Sequence, residues 1–364
     1  MLKTGWDRWS WRGGVLALGL VGVVWAGLVG AHPAEGGGEK SAKESAEESA
    51  PHTVKEVQIK MGSRFEVTVV HEDAAMAREA VAAAYGEIDR IEALISSWRE
   101  SSETSRVNRA AGQGAVAVSP ELFDLVRRSL KVSKLTDGAF DITFAGAGKL
   151  WDFKAEDPKL PAPEAVATAL ELVDYRLLRL DAEQHTLELP REGMAIGFGG
   201  IGKGYAANRA VEVLRGYGAA GGVVNAGGDL LAFGEREDGT PWTVAITDPL
   251  QPDEVFAYLR ISGQAVVTSG DYERYVEIDG VRYAHILDPR TGQPVRDVRS
   301  VTIVCPNAEL ADALATGVFV LGREKGLALL NQLRGIEGMI VDAEGSLHFS
   351  DNLQSKFVRE ETDS

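Results

Sequence analysis

Residues Met194–Asp229 read MAIGFGGIGKGYAANRAVEVLRGYGAAGGVVNAGGD. The apolar start predicts a short strand over Met194–Ile196, which runs into a loop crowded with glycine. Glycine lets backbone approach a ligand closely. A helix is expected over roughly Lys203–Arg215, with Ala207, Ala210, Val211 and Leu214 at i, i+3, i+4, i+7 spacing. Gly216 or Gly218 supplies a left-handed cap. A second strand, Gly222–Asn225, then enters the turn Gly227-Gly228-Asp229. A helix that starts from such a loop presents unpaired N–H groups that favour an anion, such as a phosphate.

Two short motifs match this stretch, and neither is complete. Gly197-x-Gly199-x-x-Gly202 resembles a dinucleotide fingerprint, but the second strand ends in Asn225 rather than an acidic residue. Gly197-x-x-x-x-Gly202-Lys203 resembles a P-loop, but Gly204 stands where a hydroxyl should reach Mg²⁺. The loop reads as a phosphate-type ligand site in preference to a bare tight turn.

The chain has 364 residues and 45% hydrophobic content, enough to bury a sizeable core. A formal charge of −16 argues against a nucleic-acid footprint, which needs a basic patch. Lys3, Arg8 and Arg12, the apolar run Val15–Val29 and the exit Val29-Gly30-Ala31 form a secretory signal pattern over residues 1–31, with an uncleaved N-terminal anchor as the alternative. Residues 32–53 are a Gly-, Ala-, Ser- and Glu-rich linker. The folded domain is expected over 54–355, followed by a tail at 356–364. The lone Cys305 precludes an intramolecular disulfide.

Strands are expected at Val54–Lys60 and Arg64–Val70. A long helix follows at Ala74–Ile95, capped by Asp73 and striped by Val81, Ala84, Ile88, Ile91 and Ile95. Ser119-Pro120 opens a further helix that runs to about Thr136, and Ala162–Val173 reads as another. The Arg176–Leu180 and His185–Leu189 segments read as a hairpin. Many short strands then precede two helices at about Glu309–Leu321 and Glu324–Leu333. Helices interleaved with antiparallel-looking strands indicate an α+β fold.

Two groups carry candidate chemistry. Asp312 and Thr316 lie four residues apart on an expected helix, so a carboxylate and a hydroxyl share one face. That pair is common, and alone it reads as an ordinary helical Asp with a Thr bonded to its own helix in preference to a metal site. His285 opens the run His285-Ile-Leu-Asp-Pro-Arg-Thr-Gly292 and has the proton affinity of a general base near neutrality, with Asp288 and Asp271 as competitors.

The segment GFGGIGKGYAAN resembles the glycine loop of the ApbE family of flavin transferases. Further blocks support the likeness: Met61-Gly62-Ser63, Ser96-Ser97-Trp98 through Arg106-Val107-Asn108, Asp137-Gly-Ala-Phe-Asp-Ile-Thr143, Thr268-Ser-Gly-Asp-Tyr-Glu-Arg-Tyr275, the His285 run, and Ala311-Asp-Ala-Leu-Ala-Thr316. The resemblance implies a single large T-fold-like domain of mixed, mostly antiparallel sheets with packed helices. It also implies a Mg²⁺-dependent FAD:protein FMN transferase, which takes FMN from FAD and attaches it through a phosphoester to a Thr of another protein. In this family Asp312, Thr316 and the Gly200 carbonyl would hold the metal, and His285 would lie at the active site. Met61, Trp98, Ala139, Phe140, Asp141, Gly197, Lys203 and Ile286 would contact FAD. Two departures stand out: Gly197 replaces the family's Asp, and Phe-Ala-Gly-Ala-Gly follows Thr143 where Gly-Pro-Leu is usual. The expected acceptor is an exported or membrane redox flavoprotein, with the enzyme periplasmic or held at the outer face of the inner membrane. The alternatives are an FAD pyrophosphatase, a non-catalytic flavin carrier and, last, a P-loop NTPase.

Overall fold

The computed structural model describes residues 51–247 and 255–353. The expected leader at 1–31, nearly all of the linker and the tail at 356–364 lie outside the described residues. No helix among the described residues is long and apolar enough to cross a membrane.

The first strand, β1 (His52–Lys60), begins two residues before the expected boundary and turns through Met61-Gly62 into β2 (Ser63–His71). Helix α1 (Ala74–Ile95) has the predicted bounds, and the Asp73 carboxylate accepts the N–H groups of Ala75 and Met76. A seven-residue helix, α2 (Glu103–Arg109), follows; it is too short to show an apolar period in the sequence. Helix α3 (Pro120–Leu135) starts from the Ser119 cap as expected. Tight turns over Ile142–Leu150 lead to α4 (Pro163–Leu170). The strands β3 (Val116–Ala117), β4 (Arg179–Asp181) and β5 (Thr186–Glu188) form a small sheet that contains the predicted hairpin.

The central stretch gives α5 (Gly202–Gly216), β6 (Gly221–Ala226) and β7 (Asp229–Gly234), with Gly218 left-handed at φ +83° after the helix. Beyond it come the ribbon β8 (Trp242–Thr247) and β9 (Val255–Ile261), then β10 (Ala265–Gly270). Two short hairpins follow, β11 (Tyr275–Ile278) with β12 (Val281–Ala284), and β13 (Leu287–Asp288) with β14 (Gln293–Pro294). The chain then forms β15 (Val298–Cys305), α6 (Ala308–Leu330), β16 (Glu337–Asp342) and β17 (Leu347–Phe349). The two helices expected near the end are one run broken at Gly322, whose φ of 76° and ψ of −178° interrupt it.

One eight-stranded sheet, ordered β1-β2-β6-β7-β10-β15-β16-β17, is antiparallel throughout. Side chains alternate across it. Val301, Ile303 and Cys305 join the core under the helices, whereas Val304 faces the other way. Helices α1, α5 and α6 cover one face, with α5 packed against both of the others. The β8–β9 ribbon covers part of the opposite face, through Trp242, Val244 and Leu259. The fold is α+β, and the helix after the glycine loop lies in the middle of the helical layer.

Met194–Ile196 is not a strand. Its edge is satisfied by a side chain instead: Asn108 Nδ2 donates to the Ile196 carbonyl at 2.9 Å, and Asn108 Oδ1 accepts the Ile196 N–H at 2.8 Å. An amide that copies a backbone partner does the work of a neighbouring strand, and nothing in the local pattern announces it.

Candidate functional site

The start of α5 lies on α6 at backbone distance. A Cβ at Gly204 would stand 2.1 Å from the Ala308 carbonyl oxygen and 2.8 Å from Asp312 Cβ, so only glycine fits that crossing. That contact explains why Gly204 departs from the P-loop pattern. Its N–H donates to Asp312 Oδ2 at 3.0 Å. One turn further along α6, Thr316 faces the loop: a Cβ at Gly200 would meet Thr316 Oγ1 at 2.8 Å. Asp312 is 3% exposed. The Thr316 hydroxyl makes no hydrogen bond among the described residues, so it is not tied back to its own helix.

The expected anion cradle at the helix start is narrower than the sequence implies. The Gly202 N–H donates to the Phe198 carbonyl at 2.8 Å and the Gly204 N–H is taken by Asp312, so the protein itself uses two of the first donors. The Lys203 N–H is left without a protein acceptor among the described residues.

The Lys203 ammonium lies 2.7 Å from Asp229 Oδ2, in the glycine turn after β6. Burial opposes the Lys203 charge, but Asp229, then Asp312 and Glu273, hold its pKa above the ordinary lysine value. Burial raises the Asp229 carboxyl, with Lys203 opposing. Asp312 is raised well above the usual range by burial and by Asp229, against the pull of Lys203 and the Gly204 N–H. Glu273, although its surface is exposed, is raised by the protein atoms crowded around it; Lys203 opposes this and Asp229 adds to it. Lys203 therefore serves all three acids, and Arg274 also bears on Glu273.

His285 follows β12. The Arg274 carbonyl accepts its backbone N–H at 2.9 Å and lies 3.1 Å from Nδ1. A carbonyl only accepts, so Nδ1 carries the hydrogen and Nε2 keeps its lone pair. Burial, then the Arg274 and Lys203 charges, lower the imidazole pKa to about 4, although the residue is partly exposed, so it is a weaker base than the near-neutral one expected from the sequence. The competing acids are engaged elsewhere. Asp288 pairs with Arg290 at 2.8 Å and caps its own turn, and Asp271 pairs with Arg299 at 3.1 Å.

The expected flavin contacts fall into two sets. Met61, at φ 51°, reaches the loop: its Cε is 3.5 Å from a Cβ built at Gly202. Ser97 Oγ comes within 3.9 Å of a Cβ built at Gly197, and the next residue, Trp98, is 83% exposed. Ala139 and Phe140 are buried, and Phe140 packs against α6 at Gly317, next to Thr316. They can offer a ligand only backbone or a closed wall. Asp141 accepts the Thr143 N–H and hydroxyl and the Tyr175 N–H; burial raises its carboxyl, and those bonds oppose the shift. Ile286 is core. Sequence reasoning gave no role to Asn108, Asp229 or Glu273. The acid that ends the Gly-Gly-Asp turn was the available signal for Asp229.

No group of three or more His, Cys, Asp or Glu side chains placed to hold a metal occurs among the described residues. The Gly200–Asp312–Thr316 set has one carboxylate and one unbonded hydroxyl beside two further acids, Asp229 and Glu273. That donor set fits Mg²⁺, which binds through one or two carboxylates and takes substrate phosphates for the rest. A separate polar cleft of about 340 Å³, lined by Glu121, Arg128, Tyr205, Arg209 and Glu309, lies elsewhere on α5. Its charges are paired within the protein, so it offers no chemistry.

A model of the ApbE family matches residues 61–340. The FAD:protein FMN transferase of Treponema pallidum (strain Nichols) is 36% identical over 265 residues, 69% of this chain and 73% of that protein. One from Klebsiella pneumoniae (strain 342) is 32% identical over 291 residues, covering 78% and 83%. Among solved structures, the ApbE protein of Thermotoga maritima matches with a TM-score of 0.79 at 32% identity, over 85% of this chain and 100% of that one. The apo flavinyl transferase ApbE of Pseudomonas stutzeri matches at 0.75 and 29%, over 85% and 98%.

Proposed function

Because this chain belongs to the ApbE family and is a transferase, we propose that it is an FAD:protein FMN transferase, moving FMN from FAD to a threonine hydroxyl of another protein and releasing AMP. The observation that carries the reading is the convergence of Gly200, Asp312 and Thr316 at the start of α5, beside Lys203.

Asp312, the Thr316 hydroxyl and the Gly200 carbonyl would hold Mg²⁺, which when bound neutralises pyrophosphate charge. Lys203 brings a fixed positive charge to the same place, as a point donor to phosphate oxygens. His285, with its hydrogen on Nδ1, presents Nε2 as the proton acceptor for the attacking threonine. Phosphoryl transfer depends mainly on positioning and electrostatics, and these residues supply both. Met61 and the exposed Trp98 give the ring system an apolar and aromatic wall. The acceptor is an exported or membrane redox flavoprotein, met outside the cytoplasm after the N-terminal segment has directed export.

Intact-mass measurement of a threonine-bearing acceptor domain, mixed with the full chain, FAD and Mg²⁺, tests this. An FMN-sized gain that EDTA prevents is expected, and Asp312→Ala should abolish it. Unchanged transfer by Asp312→Ala would remove the metal assignment. AMP and FMN free in solution with no mass gain would mean hydrolysis instead.

A further inference from the structure

The site has two halves on different parts of the fold. The glycine loop and α6 belong to the helical layer, whereas His285 lies between two short hairpins whose ladders are separate from the eight-stranded sheet. Among the described residues, the hydrogen bonds of His285 go only to Arg274, which belongs to the same region, so they do not set its distance from the loop.

Residues 142–151 touch both halves. At one end the Ile142 carbonyl accepts the Gly197 N–H at 2.9 Å. The Ala145 methyl occupies the space where a side chain at 197 would begin, 2.8 Å from a built Cβ. Gly197 and the small residues after Thr143 are therefore one matched contact. At the other end Trp151, 6% exposed, forms a satellite core with Val276, Tyr283 and Leu287. Its ring stacks on Phe153, centroids 6.0 Å apart and planes at 11°, and tilts against Tyr283 at 5.7 Å. Its Nε1–H donates to the Gly292 carbonyl at 3.0 Å. Tyr283 and Leu287 stand two residues before and two after His285, and Gly292 closes the turn beyond.

We propose that Trp151 is a positioning residue for His285: residues 142–151 form a strut that holds the His285 hairpins at a fixed distance from the glycine loop. The inference rests on the reading of His285 as the proton acceptor. A buried indole suits the task, because its ring packs on residues of three strands while its N–H fixes the turn by a directional bond. The strut acts on the proton-transfer geometry and leaves the FAD-holding half intact.

Trp151→Phe keeps the ring and loses the N–H; Trp151→Leu loses the aromatic platform. Each full-length variant is compared with wild type and His285→Ala for FAD affinity by flavin fluorescence, thermal midpoint, and the kcat and KM of FMN transfer. For Trp151→Phe, kcat is expected to fall about tenfold and for Trp151→Leu about a hundredfold, with FAD affinity within about threefold, since a displacement near 1 Å costs rates on that scale. An unchanged kcat in Trp151→Phe, or FAD affinity that falls in step with kcat, would overturn the inference. A His285→Ala variant with wild-type transfer would instead overturn the reading of His285 on which the inference depends.

Discussion

Lys203 carries one positive charge among Asp229, Asp312 and Glu273, and its closest partner, Asp229, is 1% exposed. Removing one member of such a pair leaves a charge buried without compensation. Lys203→Met is therefore expected to cost about 3–5 kcal/mol in divalent-free buffer. Replacing both partners, Lys203→Met with Asp229→Leu, should recover most of that loss, as measured by urea denaturation. Equal losses in the single and double variants would show that the pair is not the source. The same geometry fixes the Lys203 ammonium in place, held by a buried acid at the start of the helix.

At the scale of elements, the site depends on how closely α5 crosses α6. Gly204→Ala puts a methyl into the Ala308 carbonyl and against Asp312, on helices whose backbones leave no slack. Overpacking of this kind costs about 1–3 kcal/mol, and here it also displaces the N–H that holds Asp312. Loss of thermal stability together with weaker Mg²⁺ dependence of transfer is expected. Gly199→Ala is the control: nothing lies within 4 Å of its built Cβ, so its thermal midpoint should stay near wild type. A Gly204→Ala protein as stable as Gly199→Ala would mean that the helices can separate at no cost.

For the whole molecule, the buried acids link stability to pH, and a divalent ion held by them would add a link to metal. Asp312 and Asp229 have folded-state pKa values above those of an unfolded chain. Their contribution is therefore fully present below the unfolded pKa, about 3.9, and is lost as pH rises through the folded value. A divalent ion binds the ionised form, so it offsets more as pH rises. The gain in thermal midpoint from Mg²⁺ over EDTA should grow between about pH 5 and about pH 8. A gain independent of pH would place the ion away from these carboxylates.

Much of the fold was legible in the chain itself. The Asp73 and Ser119 caps and the apolar stripe from Val81 to Ile95 placed α1 and α3 nearly to the residue, because capping and helical period act within one or two turns. The resemblance of the glycine loop and its companion blocks named the family, and the fold packs Gly200 against Thr316 and Gly204 against Asp312. Other features depend on contacts far apart in sequence. Asn108 bonds Ile196 across 88 residues in place of a strand partner. Gly204 is glycine because of Ala308, and Gly197 is glycine because Ala145 fills its side-chain space. Local rules fix what each segment becomes. Only packing decides which segments press together, and here that contact selected the glycines, paired Lys203 with Asp229 and set His285 on its own hairpins.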